Sequence, residues 1–439
     1  MSPALRATAG PQSRAIVVGA GIAGLSATVA LRRAGWDVSV LERSRFKNEI
    51  GAAITVPPNA TMVLDRWGFD AEKAQGVPNI ATSGYEAATL ECFLYEEFTD
   101  IAEAMGAASW SFHRVDLHRG LRALAEAAPR PGEGEVDIQL GIEAAAVNCE
   151  EGIVTLRDGE QVQADLVVIA DGAHSRLIES FTPNPTTVVH TGRSIYRWLV
   201  SMDDVLADPA LRALYDPATT LPGFKRYREP VNDVLWVTYT CRGERMLNNA
   251  VVHPTQPGEG GGDEDQWHSA VAPEQVLAML EHFHETPRKI VGLANEDGIK
   301  VHRLFKRPAL DSFVRGRAVV VGDAAHVMLP THAAGGAIAI ESAAALEVLM
   351  RGVDGRDGEV MKRRLALFDR LRLPRCNLTM LASNAGPPWL AVPGVEEEVR
   401  KYYDGPLPPA GCLPWTSEFR EALFHHDAYR VAEEMLARD

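Results

Sequence analysis

The first forty residues of the chain change from one hydrophobic period to another. Residues 14–18 (RAIVV) form a short apolar run that stops at Gly19, which predicts a buried strand. From Ile22 to Ala34 the apolar side chains recur at helical spacing, and residues 37–41 (DVSVL) then alternate as in a second strand. The pattern therefore predicts a βαβ unit.

Two similar apolar runs come much later in the chain. Residues 165–170 (DLVVIA) run into the Asp-Gly turn at 171–172, and residues 317–321 (RAVVV) run into the Gly-Asp turn at 322–323. If these strands join the first two in a parallel sheet, their carboxyl ends meet at the edge where such sheets bind ligands. We therefore expect turns that are distant in sequence to share one ligand.

The rest of the chain is less regular. Residues 185–300 set aromatic side chains among β-branched and polar ones, which predicts a separate, sheet-rich layer. Within it, residues 253–267 are rich in Gly, Pro and acidic side chains and predict a mobile surface loop. From about residue 365 the pattern is helical, is then broken by prolines, and is helical again over 417–437.

Composition narrows the class of protein. A chain of 439 residues predicts two or three structural units, and 46% hydrophobic against 23% charged residues is ordinary for a soluble globular protein. A formal charge of -15 disfavours nucleic acids and anionic membranes as partners. Five scattered cysteines favour neither a zinc site nor a disulfide framework, and no apolar run predicts a signal core or a membrane span. We expect a soluble cytoplasmic protein with a loose amino-terminal arm.

The glycine-rich turn carries the first chemical signal. Gly19, Gly21 and Gly24 match GxGxxG between a strand and a helix, where they permit a tight turn, approach of a pyrophosphate and close helix packing. Glu42 follows at the end of the second strand, where it can accept hydrogen bonds from a ribose diol. These features predict dinucleotide binding without distinguishing FAD from NAD. The alternative is a tight turn that binds nothing.

Five segments in a fixed order carry a family resemblance. They are GAGIAGLSA (19–27), HRVDLH (113–118), ADGAHSR (170–176), GDAAHVMLP (322–330) and HHDA (425–428). On these segments, which span almost the whole chain, the sequence resembles the class A flavoprotein monooxygenases with the para-hydroxybenzoate hydroxylase fold. The resemblance is greatest to their salicylate hydroxylase-like branch.

The resemblance implies an α/β fold with two domains and a helical tail. It predicts an FAD-binding, Rossmann-like domain of the glutathione-reductase type, a β-sheet substrate domain inserted into it, and a C-terminal helical region. The predicted limits are 1–75, 107–184 and 301–365 for the FAD domain, 76–106 and 185–300 for the substrate domain, and 366–439 for the helical region.

The resemblance also implies roles for polar residues near FAD. Asp323 would hold the ribityl or pyrophosphate part, and Arg114 would meet the phosphates or the ribityl chain. Arg43 would lie beside Glu42 at the adenosine end, and Asp171 would support FAD and the nicotinamide cofactor from behind. Without the family pattern, Asp171 is better explained as a turn residue and Asp323 as a helix N-cap.

Small residues are expected around the isoalloxazine ring. By the resemblance, the turn 51–53 with Ala53 and the backbone from Pro330 to Gly336, including Gly335, would border the ring. The chain also departs from the family. Where relatives usually carry Gln-Gly-Ala-Asn it has residues 334–337 (AGGA), and a common Glu-Asp is Glu341-Ser342.

The implied reaction uses FAD, O2 and a transient nicotinamide. NADPH or NADH would reduce the flavin, O2 would add at C4a, and the resulting hydroperoxide would hydroxylate or epoxidise a small, electron-rich aromatic substrate such as a phenol or phenolic acid. GxGxxG occurs once, which agrees with a nicotinamide cofactor that has no domain of its own. The sequence does not predict the oligomeric state.

Catalytic side chains are expected on the substrate sheet. Arg197 and, second, Tyr239 could stabilise a phenol that loses its proton. The alternatives are an ion-paired or surface arginine and a core aromatic residue. His113 and His326 lie within cofactor motifs and are better explained as structural hydrogen-bonding groups.

Three other functions stay open at this point. The same flavin chemistry could act on an indole or an alkene in secondary metabolism. An FAD dehydrogenase or oxidase would remove hydride without transferring oxygen. A flavin-binding regulator without activity is the third, suggested by the altered residues 334–337.

Overall fold

The structure is a computed structural model that describes residues 12–46, 52–182, 187–259, 269–295, 298–386 and 389–439. The predicted amino-terminal arm, residues 1–11, lies outside the described residues. The strands are β1 (Arg14–Val18), β2 (Asp37–Glu42), β3 (Ala53–Val56), β4 (Val77–Pro78), β5 (Ala81–Glu86), β6 (Cys92–Glu97), β7 (Trp110–His113), β8 (Val136–Leu140), β9 (Ala144–Asn148), β10 (Ile153–Leu156), β11 (Gln161–Gln163), β12 (Leu166–Ile169), β13 (Val189–Ser201), β14 (Gly223–Glu229), β15 (Val234–Cys241), β16 (Met246–Pro254), β17 (Ser269–Val271), β18 (Ile299–Lys306), β19 (Val314–Arg315) and β20 (Ala318–Val320).

Helices connect and cover these strands. They are α1 (Ile22–Arg33), α2 (Pro58–Trp67), α3 (Ile101–Met105), α4 (Arg114–Glu126), α5 (Ile178–Phe181), α6 (Met202–Ala207), α7 (Pro209–Tyr215), α8 (Pro273–Met279), α9 (Glu285–Arg288), α10 (Gly335–Met350), α11 (Gly358–Ala385), α12 (Val395–Arg400), α13 (Ser417–Leu423) and α14 (Ala428–Ala437). Short 3-10 helices occur at Lys289–Leu293, Gly322–Ala324, Pro330–His332 and Trp389–Ala391.

A six-stranded sheet in the order β19-β20-β12-β1-β2-β8 forms the first layer. Its strands are parallel except β19, so the carboxyl ends of β1, β2, β12 and β20 lie at one edge. The predicted βαβ unit is confirmed, and the two later apolar runs are confirmed as β12 and β20. These strands are fully buried because helices and the small sheet β11-β10-β9 share one hydrophobic core with them.

An eight-stranded sheet in the order β17-β18-β13-β16-β15-β14-β5-β6 forms the second layer. It confirms the sheet-rich character predicted for residues 185–300, to which β5 and β6 are added from an earlier part of the chain. One face carries Trp198 and Trp236, which pack under helices α6 to α8. The opposite face meets a hydrophobic cluster from the C-terminal helices, in which Trp415 contacts Phe224.

A third, three-stranded sheet has the strand order β3-β7-β4. Strand β3 begins at Ala53 and pairs antiparallel with β7, whose last residue, His113, precedes α4. Ala53 also packs against Leu199 and Cys241 of the eight-stranded sheet. Strand β3 is therefore in contact with both layers.

Two predictions for irregular segments need correction. The predicted loop 253–267 begins too early, because β16 continues to Pro254 and pairs with β13, and His253 is fully buried against Tyr196. Residues 260–268 lie outside the described residues. Stacking and pairing with a central strand outweigh the turn-forming composition that follows.

The C-terminal helices also differ from the prediction. Helix α11 starts at Gly358 and continues through Pro374, whereas the predicted helix began near residue 365. The single helix predicted over 417–437 is two helices, because the Asp427 side chain accepts a hydrogen bond from the Arg430 N–H and so starts α14 anew.

Within the described residues, none of the helices has the length and apolarity that a membrane crossing requires. The five cysteines, all of which are described, are unpaired thiols.

Candidate functional site

The three glycines of the GxGxxG turn are required for three different reasons. Gly19 has a φ of 99°, and a Cβ there would lie 2.4 Å from the Ala170 carbonyl oxygen. A Cβ on Gly24 would lie 1.9 Å from the Gly19 carbonyl oxygen. At Gly21 a Cβ would meet no atom within 4 Å, so space is open beside the first turn of α1. This is the arrangement that a pyrophosphate at a helix N-terminus needs.

Glu42 is buried and holds the glycine turn in place. Its carboxylate accepts hydrogen bonds from the Ala20 N–H at 2.7 Å and from the Ser44 N–H at 2.6 Å. The Ala20 carbonyl lies 2.7 Å from Nε2 of His118. The sequence predicted Glu42 as a ribose acceptor, and each carboxylate oxygen keeps lone-pair capacity for that role. It did not predict that Glu42 and His118 hold the N–H and the carbonyl of the same residue, Ala20.

The Gly322-Asp323 turn lies against the same helix. Gly322 has a φ of 62°, and a Cβ there would lie 2.5 Å from Cβ of Ala23 in α1. A Cβ on Gly335, the first residue of α10, would lie 4.0 Å from Oδ1 of Asp323. The turn thus brings the Asp323 carboxylate between the N-terminal ends of α1 and α10, both of which favour negative charge in a ligand.

Asp323 has the environment of a residue in a cleft. Its side chain is open to solvent, yet protein surrounds it closely enough for burial to raise the pKa of the carboxyl, which Arg114 opposes. Asp323 therefore points into a space that is deep but not filled by protein.

Arg114 and Arg43 are exposed cations of this edge. Arg114 is the first residue of α4, and its N–H donates to the Ala52 carbonyl at 2.9 Å. The exposed guanidinium groups of Arg114 and Arg43 form no hydrogen bond or ion pair with any described residue. Arg114 interacts electrostatically with both Asp323 and Arg197. The charge of Arg114 thus acts on groups of both the nucleotide edge and the eight-stranded sheet.

Asp171 lies at the same edge, but its own turn engages it. The methyl group that an alanine would place at position 19 would lie 3.1 Å from Cα of Asp171, which puts the two turns in contact. Burial raises the pKa of the Asp171 carboxyl, while hydrogen bonds from Ser175 and from backbone N–H groups of the turn oppose the shift. Its Oδ1 is nevertheless buried without a hydrogen-bond partner in the described part of the chain, so the cofactor role of Asp171 stays a prediction.

The residues expected around the flavin ring lie together. A Cβ on Gly336 would lie 3.2 Å from Cδ1 of Ile54, so the start of α10 meets strand β3 next to Ala53. Pro330 is exposed at the start of a 3-10 turn, and Ala333 takes a φ of 55° before α10. Gly51 lies outside the described residues.

The eight-stranded sheet presents two rows of side chains toward this region. Leu199, Asn248 and Tyr239 are cross-strand neighbours on β13, β16 and β15, and Arg197, Ala250 and Val237 form the next row on the same face. Four of these side chains stay half-buried although they occupy central strands, namely Arg197, Val237, Tyr239 and Ala250. We call this surface the substrate floor.

Arg197 is the charged group of the substrate floor. Its Nε is buried without a hydrogen-bond partner in the described part of the chain. Burial lowers the pKa of the guanidinium and Arg114 lowers it further, while Tyr239 opposes the shift. No carboxylate among the described residues pairs with this cation, so an anionic ligand is favoured beside it.

Tyr239 lies across strand β16 from Arg197, in the neighbouring row of the floor, and its hydroxyl already has a partner. It donates to the Ala53 carbonyl at 2.9 Å. Burial raises the pKa of this phenol to about 12, and Arg197 and a hydrogen bond with Thr55 only partly oppose the shift. Its ring also makes an edge contact with Phe224. The prediction of Tyr239 as a second donor to the substrate remains untested.

A buried ionic network was not predicted and lies behind α10. Glu341, which precedes the family departure at Ser342, accepts hydrogen bonds from Arg372 at 2.8 Å, from Arg375 at 2.6 and 2.7 Å, and from Asn59 at 2.5 Å. Burial would raise the pKa of Glu341, but Arg375, His426 and Arg372 lower it well below its usual range. The network joins α2, α10 and α11. Only isolated polar letters in helical segments could have indicated it.

Of the two histidines of the cofactor motifs, His113 agrees with the structural explanation, since it lies 3.2 Å from the Arg242 guanidinium and 3.9 Å from Asp116. His326 is buried, but neither of its ring nitrogens has a hydrogen-bond partner in the described part of the chain. Burial with nearby Arg372 lowers its pKa to about 4, so it is neutral at pH 7.

These features fit an FAD molecule. Glu42 could accept from the adenosine ribose, the open space at Gly21 and the guanidinium of Arg114 could take the pyrophosphate, and the carboxylate of Asp323 could hold the ribityl chain. The contact between β3 and the start of α10 would then leave the ring beside the substrate floor.

Comparison with known proteins agrees with this geometry. Residues 12–359 match a family model described as "FAD binding domain". The FAD-dependent monooxygenase cfoG of Aspergillus candidus is 32% identical over 428 residues, which cover 96% of this chain and 94% of that protein. The chain belongs to the FAD-dependent monooxygenases. Hispidin-3-hydroxylase of Neonothopanus nambi is 30% identical, with 84% of this chain and 87% of that protein covered.

Solved structures confirm the fold of this monooxygenase. The structure of CtdE in complex with FAD and a substrate superposes with a TM-score of 0.76 at 18% identity and covers 97% of this chain and 98% of its own. A salicylate hydroxylase substrate complex gives a TM-score of 0.68 at 20% identity, with 89% and 92% covered. The resemblance stated from the motifs is confirmed. The individual site residues and domain limits stay predictions.

Proposed function

We propose that this monooxygenase uses NADPH or NADH and O2 to hydroxylate a small phenol or phenolic acid. The observation that carries the proposal is the guanidinium of Arg197, which lies half-buried on the substrate floor without a counter-ion among the residues that the structure describes, next to the region that fits the flavin. A phenolate is the ligand that this environment would stabilise best, because it brings the missing negative charge.

The chain's own residues would then divide the work. Gly21, Glu42, Arg114 and Asp323 would hold FAD, which when bound supplies reduction by the nicotinamide and activation of O2. Arg197 would favour loss of the substrate's phenolic proton, which makes the ring carbon more nucleophilic toward an electrophilic oxygen. The single GxGxxG turn supports a nicotinamide cofactor that binds transiently.

The overall stoichiometry defines the test. One substrate, one O2, one NAD(P)H and one proton would give a hydroxylated product, NAD(P)+ and water. The FAD-loaded protein is incubated with NADPH or NADH and a panel of phenols, aromatic acids and indoles, and both nicotinamide oxidation and product mass are recorded. We expect substrate-stimulated oxidation of the nicotinamide and a mass gain of one oxygen atom from O2.

Other results would point elsewhere. Loss of two hydrogens from the substrate with no need for NAD(P)H would indicate a dehydrogenase or oxidase. A one-oxygen gain restricted to indoles or alkenes would replace the phenol by those substrates and leave oxygen transfer intact. A yellow protein that oxidises no nicotinamide with any compound would contradict the proposal.

A further inference from the structure

Strand β3 has an outer edge whose hydrogen-bonding groups are satisfied in an unusual way. It pairs on one side with β7, and the Ala52 carbonyl accepts from the Arg114 N–H at 2.9 Å. The N–H and C=O of Ala53 instead meet two side chains of the eight-stranded sheet. The N–H donates to Oδ1 of Asn248 at 3.0 Å, and the carbonyl accepts from the Tyr239 hydroxyl at 2.9 Å.

These two side chains occupy the position that a neighbouring strand would take. Buried backbone groups need partners, and an edge strand leaves every second residue without them. Asn248 and Tyr239 are directly opposite each other on β16 and β15, so from adjacent strands they reach the two successive peptide groups that flank Ala53. Asn248 is only 2% exposed, so water does not compete for the bond.

Apolar contacts strengthen the same junction. Ala53 packs against Leu199 and Cys241, and Leu199 is the next residue in the row of Asn248 and Tyr239. Ala53 thus connects two parts of the site. These are the floor that carries Arg197 and strand β3, which borders the predicted ring position.

We propose that Tyr239 and Asn248 are positioning residues that hold Ala53 by its carbonyl and its N–H, and so set the distance between the flavin ring and the substrate floor. We call this pair of hydrogen bonds the clamp. This inference rests on the proposed function for the role of the distance, although the clamp itself does not. It gives Tyr239 a different role from the substrate donor expected from the sequence, because a hydroxyl that donates to Ala53 has no second proton for a substrate.

The clamp has a direct consequence for the reaction. Oxygen transfer requires the flavin and the substrate carbon to meet within a narrow range of distance, from which water is excluded. If the clamp loosens, NAD(P)H and O2 would be converted to NAD(P)+ and H2O2 without product. We therefore expect the coupling, defined as product formed per NAD(P)H oxidised, to depend on both side chains.

The chain offers matched control residues on the opposite face of the same sheet. Asn249 adjoins Asn248, is fully buried, and accepts from Nε1 of Trp236 at 3.3 Å. Tyr227 is also fully buried, and its hydroxyl lies 2.9 Å from that of Tyr215. Asn249→Ala and Tyr227→Phe therefore remove comparable buried hydrogen bonds that do not touch Ala53.

The first measurement needs no turnover. Hydrogen exchange at the Ala53 N–H is compared among Asn248→Ala, Tyr239→Phe and the two controls, each with FAD bound. We expect exchange to be roughly tenfold faster in the two clamp variants, relative to global unfolding measured in the same samples, and unchanged in the controls. The visible absorption and fluorescence of the bound flavin should shift in the clamp variants only.

The second measurement is the coupling with the best substrate of the panel. Coupling should fall in Tyr239→Phe and Asn248→Ala with little change in KM, and should stay at the wild-type value in the controls. If the wild-type protein hydroxylates nothing, the proposed function fails, while the exchange and flavin spectra still decide whether the clamp exists. If Asn248→Ala does not fold, Tyr239→Phe tests the carbonyl side alone.

Two results would overturn the inference. Exchange at Ala53 and flavin spectra that are the same in clamp and control variants would show that no clamp operates. A Tyr239→Phe variant with a raised KM and a shifted pH profile, but unchanged exchange and coupling, would return Tyr239 to direct contact with the substrate.

Discussion

The nucleotide edge and the substrate floor are built from different parts of the polypeptide. At the edge, the surface consists largely of backbone groups of the turns that follow the parallel strands. These groups approach one another closely because glycine stands at the contacts, as at Gly19 and Gly24. On the floor, side chains on central strands define the surface, and the backbone is fully engaged in the sheet.

The difference explains how substitutions should act in the two regions. At the edge a side chain that is too large collides with backbone, which cannot move without disturbing the six-stranded sheet. On the floor a side chain can change without altering strand pairing, so function can be lost while the fold remains. Substitutions on the floor can therefore change which substrate binds, without altering the cofactor site on the other layer.

The strongest test of this contrast compares two glycines of one turn. Gly24→Val should lower the free energy of unfolding by about 4 kcal/mol or prevent folding, because the new Cβ would lie 1.9 Å from the Gly19 carbonyl. Gly21→Ala should fold with near-normal stability but bind FAD poorly, because its methyl group enters the open space. Thermal unfolding and FAD titration separate the two. Equal stability of both variants would contradict the account.

Arg197→Ala tests the floor. We expect FAD binding and thermal stability to be retained while turnover falls by about a hundredfold or more, as for loss of a charge-stabilising donor. Arg193→Ala is the control, since Arg193 is on the same strand but pairs with Asp233 away from the floor. Stopped-flow and steady-state rates measure the effect. Unchanged product formation in Arg197→Ala would remove this residue from the site.

Asp323→Ala tests the edge at a side chain instead of a glycine. Loss of a carboxylate that accepts from a ribityl or ribose hydroxyl should weaken FAD binding roughly ten- to hundredfold. The protein should fold, because Asp323 has no hydrogen bond to another described side chain. Flavin fluorescence on reconstitution gives the affinity. A variant that retains its full yellow spectrum after dialysis would contradict the prediction.

The smallest effect concerns pH. Burial lowers the pKa of His326 to about 4 and that of His332 to about 3. The pKa of a histidine in the unfolded chain is about 6.5. When the pH falls below that value, the unfolded state binds protons that the folded state does not bind. The free energy of unfolding should therefore have its full value above this pH. Below it, the free energy of unfolding should decrease by about 1.4 kcal/mol per pH unit for each such histidine, until the pH reaches the pKa of that histidine in the folded state.

His332→Gln should reduce this pH slope, because glutamine does not titrate. Urea unfolding between neutral pH and pH 5 measures the slope, and His425→Gln is the control because His425 is exposed. An equal slope in both variants would show that burial of His332 does not contribute. A reduced slope would place acid sensitivity next to the nucleotide edge, in the segment that precedes α10.

Much of the edge was predictable because its signals are local. Strand β1, helix α1 and strand β2 follow from periodicity, and Glu42 follows from its place at a strand end. The floor was less accessible. Arg197 was expected from the family resemblance, but Asn248 was not singled out, because Asn248 and Asn249 are identical letters that face opposite sides of one strand.

The sequence by itself determined the family, the βαβ unit and the order of the turns that we predict to meet FAD, because each motif consists of residues that are neighbours in the chain. Only the tertiary structure decided that Tyr239 and Asn248 hold Ala53, that Arg114 links Asp323 to Arg197, and that Glu341 joins three helices. Those partners are separated by tens to hundreds of residues. Register and packing, which no local pattern specifies, bring them together.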